Sequence, residues 1–137
     1  MRVYVLGGRL MAKQIRLLLD TNVLIPLQDS FAVLTDNLAN LHRLAVQGGH
    51  QLLYHPATLD DFERDPDGDS RTRNLSHIKR YPSLPSPAKC PWNTADTSPN
   101  DACDNEILFA LYCDAVHVLV TEDRRLLAKA RSRGHGD

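Results

Sequence analysis

The chain has 137 residues and a mass of 15.4 kDa, which is the size of one ordinary domain. Hydrophobic residues make up 42% and charged residues 24%, close to globular averages, so the composition excludes wholesale disorder. With 16 Lys and Arg against 17 Asp and Glu, the net charge of -1 excludes a strongly basic, histone-like nucleic-acid binder but leaves room for a local basic patch.

The cysteines and the hydropathy bear on location. The chain has three cysteines and no C-x-x-C pair, so neither a disulfide framework nor a zinc knuckle is indicated. A reduced, cytoplasmic compartment is the simpler interpretation. No apolar run approaches the ~20 residues of a membrane span, so no membrane partner is expected.

Apolar runs with the character of buried strands alternate with helical patterns. Ile15 to Leu19 (IRLLL) is almost wholly apolar, which is typical of a strand buried on both faces of a parallel sheet. Apolar residues at the spacing of one helix face follow; Asp36 lies near the start of this predicted helix, and Gly48 and Gly49 end it. The residues predicted to face inward in this helix are Leu38, Leu41, Leu44 and Ala45.

The other elements follow from the same two periodicities. In chain order they are a strand over 51–54, a helix from 58, a helix over 70–80, a long loop over 82–100, a helix over 101–113, a strand over 115–120 and a helix over 122–133. Strands and helices in alternation imply an α/β domain with a parallel sheet and right-handed crossovers. The loop contains five prolines and is predicted to lie on the surface near the site.

The first residues are predicted to precede the main domain. We expect an N-terminal extension over 1–14 and a single domain over 15–137. Arg2 to Leu6 (RVYVL) is rich in β-branched and aromatic residues, which predicts an extended segment paired with a sheet edge. Were that segment disordered, the exposed edge would favour self-association, such as a homodimer.

Acidic residues lie where predicted strands end or predicted helices begin, and the four of interest are Asp20, Asp61, Asp104 and Asp123. Each also has a local interpretation, because the helix dipole favours an acid at the start of a helix. Thr58 and Asp61 in addition have the spacing of a capping box. In parallel sheets, ligands bind beyond the carboxyl ends of the strands, so we expect the four carboxylates to meet at one edge.

A cluster of carboxylates favours a particular chemistry. Such groups raise one another's pKa unless something neutralises them, and a hard divalent cation such as Mg²⁺ does so with oxygen ligands. Two such ions activate water and stabilise the leaving oxygen of a phosphodiester. The acids therefore predict metal-assisted phosphoryl chemistry.

Four motifs, in this order, resemble the PIN domain family. They are Leu18 to Ile25 (LLDTNVLI), His55 to Phe62 (HPATLDDF), Asn100 to Leu108 (NDACDNEIL) and Val118 to Arg124 (VLVTEDR). The resemblance covers roughly residues 15–133 and implies a three-layer α/β/α sandwich with a central parallel sheet. It also implies a Mg²⁺ or Mn²⁺ site and endoribonuclease activity. The last edge strand with which the family usually ends would be missing.

The resemblance, carried over residue by residue, makes Asp20, Asp104 and Asp123 metal ligands and catalytic acids. The second acid of the family falls at Asp61, with Asp60 beside it as the alternative. The polar side chains expected to support the acids are Asn22, Thr121, Asp101 and Asp60. The implied partners are an RNA substrate and, because many small members are toxins of toxin–antitoxin pairs, an antitoxin protein.

Basic and aromatic side chains are candidates for contacts with RNA. The arginines expected to meet phosphates are Arg71, Arg73, Arg124 and Arg125. Their alternative is a solvated helix face. Tyr81 and Trp92 either stack on bases or pack onto the core.

Two other classes of function are alternatives. The first is a PIN-like module that has lost activity and only binds RNA or a protein; the acid at all four motif positions argues against it. The second is phosphotransfer to an aspartate. A haloacid-dehalogenase-type phosphatase has D-x-D-x-T, where this chain has Asn22 in place of the second Asp. A receiver domain has an acidic pair before the acceptor and a late Lys, and neither is evident.

Overall fold

The computed structural model describes residues 4–7, 14–28 and 36–133. In these ranges the strands are β1 Tyr4–Gly7, β2 Arg16–Leu19, β3 Gln51–Leu53 and β4 Val118–Thr121. The α-helices are α1 Thr21–Gln28, α2 Asp36–Gln47, α3 Ala57–Glu63, α4 Gly68–His77, α5 Pro99–Tyr112 and α6 Arg124–Ser132, and a 3₁₀ turn over Ile78–Arg80 continues α4. None of the helices within these ranges has the length and apolar character needed to cross a membrane.

The strands form one sheet in the order β1-β4-β2-β3. β2 is parallel to both of its neighbours, with Leu18 opposite Leu53 on one side and Leu119 on the other. β1 runs antiparallel to β4, with Val5 opposite Val120. The predicted α/β class is confirmed, with a sheet that is mostly parallel.

Both faces of the sheet are covered. Alternate residues of a strand point to opposite faces, so Leu18 of β2 lies in one hydrophobic cluster and Leu19 in the other. The Leu18 cluster includes residues of α5 and α6, and the Leu19 cluster includes residues of α1, α2 and α3. Burial on both faces is the physical reason why β2 is apolar along most of its length.

The predicted N-terminal strand is confirmed where it is described. Tyr4 to Leu6 pair with β4 at an edge of the sheet, and residues 2 and 3 lie outside the described part of the chain. Leu6 is 1% exposed and packs in the same cluster as Leu119. Residues 4–7 therefore belong to the same sheet as the strands of the 15–137 region.

The capping box is not formed at the start of α3. The helix begins at Ala57 after Pro56, and no side chain of the described residues caps it. Thr58 is inside the helix, and its buried hydroxyl has no hydrogen-bond partner in the part of the chain that the structure describes. Asp61 is thus free of the capping role that its spacing suggested.

Two other local predictions are wrong. Leu44 is 58% exposed, because the buried face of α2 is formed by Leu38 and Ala45. The last strand begins at Val118 rather than at residue 115, because the chain turns after α5, where Asp114 adopts a φ of 58°. His117 lies in that turn and its Nδ1 accepts a hydrogen bond from the backbone N–H of Arg16 at 2.9 Å.

The proline-rich segment is tied down more firmly than its polar content predicts. Its residues 82–98 are all described and form no helix or strand, only a bridge between Ser83 and Tyr54. Leu84 and Cys90 are 3% and 2% exposed. The backbone N–H of Cys90 donates to Glu106 Oε2 of α5 at 3.1 Å. Most residues of the segment are exposed, as predicted, but its buried residues and the bond to Glu106 hold it against the protein.

Candidate active site

The four aspartates singled out from the sequence line one cleft. Asp20 directly follows β2, and Asp123 is two residues beyond β4, so both lie at the carboxyl ends of adjacent parallel strands. Asp61 of α3 and Asp104 of α5 complete the acidic lining of this cleft, which has a volume of about 350 Å³. We call it the acidic cleft; the packing of α3 against α5 is what brings the last two acids to the strand ends.

Asp20 is the most buried of the four, at 5% exposed. Its Oδ2 accepts a hydrogen bond from Thr121 Oγ1 at 2.6 Å, and its Oδ1 accepts one from the backbone N–H of Thr21 at 2.8 Å. Burial raises the pKa of Asp20 to about 6, with smaller contributions from the charges of Asp123 and Asp61, and the two hydrogen bonds oppose this rise.

Asp104 differs from the other three because its carboxylate accepts no hydrogen bond from the described residues. Burial raises its pKa to about 7, and repulsion by Asp20 and Asp123 contributes to the rise. Lys129 acts in the opposite direction. A half-buried carboxylate with acidic neighbours is a group that a bound cation would stabilise.

Asp123 combines a local role with its position in the cleft. Its Oδ1 accepts hydrogen bonds from the backbone N–H groups of Arg125 at 2.8 Å and Leu126 at 3.4 Å, so it caps α6. The local interpretation of this acid is therefore correct, and it does not remove the carboxylate from the cleft. Thr121 joins the two strand ends, because its Oγ1 donates to Asp20 and accepts from the backbone N–H of Asp123 at 3.0 Å.

Asp61, rather than Asp60, faces the acidic cleft. Thr21 Oγ1 donates to Asp61 Oδ2 at 3.3 Å, and Arg64 forms an ion pair with Oδ1. Asp60 is exposed, does not line the acidic cleft, and instead lines two other cavities. Cys103 is a buried neighbour of the site; burial raises the pKa of its thiol, and a hydrogen bond with Asp61 adds to this rise.

The expected supporting side chains divide into two groups. Asn22 lines the acidic cleft, and its Oδ1 accepts from the backbone N–H of Glu122 at 3.5 Å. Thr121 is fully buried between the acids as described above. Asp101 instead forms an ion pair with Lys129 at 3.0 Å on the surface, and a hydrogen bond from that lysine lowers its pKa.

Only one of the four candidate arginines lines the acidic cleft, and that residue is Arg125. Arg73 lines a neighbouring cavity. Arg71 donates to the backbone carbonyl of Asp65 at 2.9 Å and so holds the turn before α4. Arg124 lies in a separate depression beside β1.

The two candidate stacking residues pack against the protein. The Trp92 ring meets Phe109 and Tyr112 edge to face, with centroids 5.3 Å and 5.5 Å apart. The guanidinium of Arg133 lies 3.5 Å from the centroid of the Trp92 ring. Tyr81 is partly buried against the Leu19 cluster. Trp92 and Tyr81 therefore pack onto the protein, which is the second of the two roles predicted for them.

The potential metal ligands of the acidic cleft suit a hard divalent cation, because the charged ones are all carboxylate oxygens. Within the described ranges, however, no three His, Cys, Asp or Glu side chains form a group that could hold a metal ion. Three of the four acids are instead engaged within the chain: Asp20 accepts a hydrogen bond from Thr121, Asp123 accepts from the start of α6, and Asp61 pairs with Arg64.

Several residues of the site were not singled out from the sequence. Arg64 is three residues after Asp61 on the same helix, a spacing that places their side chains on one face, so the pair was open to prediction. Thr21 and Asn100 also line the cleft; both lie within the sequence motifs described above, which gave them no role of their own. Cys103, the residue before Asp104, was likewise given no role from the sequence. Comparisons of the chain with protein-family models, with curated proteins and with solved structures returned no match.

Proposed function

We propose that this protein is a PIN-like endoribonuclease that hydrolyses RNA phosphodiester bonds with Mg²⁺ or Mn²⁺, built as a three-layer α/β/α sandwich. One observation carries the proposal: four carboxylates line a single cleft at the carboxyl ends of β2 and β4, and the pKa values of Asp20 and Asp104 are raised there. Acids in a cleft whose pKa values are raised by burial and by neighbouring charges are candidates for a functional site. A cytoplasmic location and an antitoxin partner are expectations that accompany the proposal.

The acids would hold the ion. Asp20, Asp104 and Asp123 are the proposed ligands, and Asp61, the second acid of the family pattern, is the remaining carboxylate that lines the cleft. Bound there, a divalent ion supplies Lewis-acid activation of water and neutralises charge on the phosphate. Its binding would also offset the mutual repulsion that raises the pKa of Asp104.

The other side chains of the cleft position substrate and acids. Thr121 orients the Asp20 carboxylate and fixes the start of α6 through Asp123. Arg125 offers a guanidinium suited to a phosphate oxygen beside the acids. Thr21 holds one oxygen of Asp61 toward the cleft. The two threonines would thus orient carboxylates and Arg125 would orient the phosphodiester, and none of the three takes part in bond breaking.

A PIN-like module that binds RNA or a protein without cleaving is the second candidate. The observation in its favour is that no three acidic, histidine or cysteine side chains in the described ranges are grouped to hold a metal ion. Arg64 satisfies Asp61 with a positive charge from within the chain, which lowers the need for an ion there. Metal-dependent cleavage separates the two candidates.

The test is cleavage of labelled single-stranded RNA by the purified protein in Mg²⁺, Mn²⁺ or EDTA. We expect cleavage in either metal, none in EDTA, and a fall by orders of magnitude in Asp20→Asn and Asp104→Asn. Asp96→Asn is the matched control, because it removes an exposed carboxylate from the proline-rich segment away from the cleft. RNA binding without cleavage in any metal would favour the second candidate, and cleavage that survives Asp20→Asn would exclude the proposed site.

A further inference from the structure

A second cavity adjoins the acidic cleft. It lies between α3 and α4, has a volume of about 420 Å³, and is lined by Phe62, Arg64, Ser70, Arg73, Asn74 and His77. We call it the α4 cavity. Its volume is in the range of small-ligand sites. It shares a wall with the acidic cleft, formed by Thr21, Ile25, Asp61 and Asn100, so a chain lying in one would reach the other.

The face of α4 toward this cavity is polar throughout. Ser70, Arg73, Asn74 and His77 repeat at i, i+3, i+4 and i+7, the spacing that places side chains on one side of a helix. A stripe of that spacing facing the protein is normally apolar. Asn74 is only 7% exposed, and its amide donates to Ser70 Oγ at 3.4 Å. The apolar contacts with the Leu19 cluster come instead from Leu75 of α4, which is partly buried, and from Ile78 in the 3₁₀ turn that follows.

The charges of the α4 cavity disfavour an anion. Two arginines, Arg64 and Arg73, are balanced by two carboxylates, Asp61 and Asp65. Arg64 is already paired with Asp61. An anionic phosphate would therefore meet nearly as much repulsion as attraction, whereas an uncharged group with donors and acceptors would meet partners of both kinds.

The chemistry of the walls suits an uncharged heterocycle. Besides its polar residues, the cavity is lined by two apolar side chains, Phe62, which is 3% exposed, and Ile25, which is 38% exposed. Asn and Arg side chains can each form paired hydrogen bonds with a base edge, and Asn74 and Arg73 of α4 both line the cavity. Sequence-specific recognition of RNA uses unpaired bases bound in this way.

We propose that the α4 cavity binds one unpaired base of a single-stranded RNA whose neighbouring phosphate lies in the acidic cleft, and that Arg73 and Asn74 determine which base is accepted. This inference rests on the proposed function, since it assigns the polymer that the acidic cleft acts on. It makes the protein selective for the nucleotide beside the cut.

The experiment measures binding apart from cleavage. Fluorescence anisotropy of 5′-labelled hexamers of A, C, G and U is recorded with the full chain in EDTA. We expect the wild-type protein to bind one hexamer about tenfold more tightly than the weakest, which is the discrimination of one good base contact. Arg73→Ala and Asn74→Ala should lower this difference to less than about threefold. Arg73 is exposed, so its variant keeps the fold even if Asn74→Ala melts early.

Lys79→Ala is the charge-matched control, because this exposed lysine follows α4 but does not line the cavity. It should weaken all four hexamers by a similar factor and leave their ranking unchanged. Equal binding of the four hexamers by the wild type, or a loss in Arg73→Ala that is the same for every base, would overturn the inference. Base-selective binding without cleavage would reject only the nuclease, and cleavage with no base preference in any variant would reject only the base site.

Discussion

Replacement of Asp104 by Asn should stabilise the metal-free protein. The substitution keeps the shape of the side chain and removes its charge, and no hydrogen bond from the described residues depends on that charge. Burial and the neighbouring acids raise the pKa of Asp104 from 3.8 to about 7, equivalent to about 4 kcal/mol at neutral pH and above. The side chain is only half-buried, so solvent screening reduces the expected gain to about 1–2 kcal/mol.

The gain should depend on pH in a defined direction. Because the folded-state pKa is above the unfolded value, the folded protein loses stability as the pH rises from 3.8 to about 7, and the loss is complete above that range. Asp104→Asn should therefore be most stabilising at pH 8 and less than half as stabilising at pH 5. Thermal unfolding in EDTA measures this, and about 1–2 kcal/mol corresponds to about 3–8 °C in Tm.

A surface acid of the same helix provides the control. Asp101 forms an ion pair with Lys129 and its pKa is lowered, so Asp101→Asn should slightly destabilise the protein, the opposite sign. Added Mg²⁺ should raise the Tm of the wild type more than that of Asp104→Asn, because binding to the folded state stabilises it. A lower Tm for Asp104→Asn at pH 8, or an equal gain at both pH values, would refute the reasoning.

The remaining predictions concern a buried hydroxyl and the core. Thr121→Val removes the bond to Asp20, worth about 1.5–3 kcal/mol when the acceptor is charged, so the pKa of Asp20 should rise by about 1–2 units. The acid limb of the pH profile of cleavage should move to higher pH by that amount. Thr58→Val removes a buried hydroxyl that has no partner among the described residues, so it should leave the pH profile unchanged. Leu119→Ala should cost about 2–5 kcal/mol in urea unfolding because Leu119 is fully buried, and Leu44→Ala should cost little despite its inward spacing in the sequence; equal losses would contradict the fold.

The class of fold and most of its elements follow from local patterns. The apolar run of β2 and the glycines after α2 act within a few residues, so a single sequence reveals them. Where tertiary contacts override local preference, the predictions fail. Leu44 has the right spacing for burial but no element within the described ranges covers it, and Thr58 has the spacing of a cap but lies inside α3.

The acidic site divides in the same way. The rule that ligands bind at the carboxyl ends of parallel strands predicted that Asp20 and Asp123 share one edge of the sheet, whereas the adjacency of their strands is known only from the structure. Only the packing of α3 and α5 decided that Asp61 rather than Asp60 lines the cleft, and that Asp101 pairs with Lys129 on the surface instead of supporting the acids. The α4 cavity could not be predicted from the sequence. A polar stripe on a helix has the pattern of a solvent-exposed face, and only the position of the neighbouring helix shows that it lines a cavity. Local periodicity determines which side chains share a face, and only the packing of elements distant in sequence decides what that face meets.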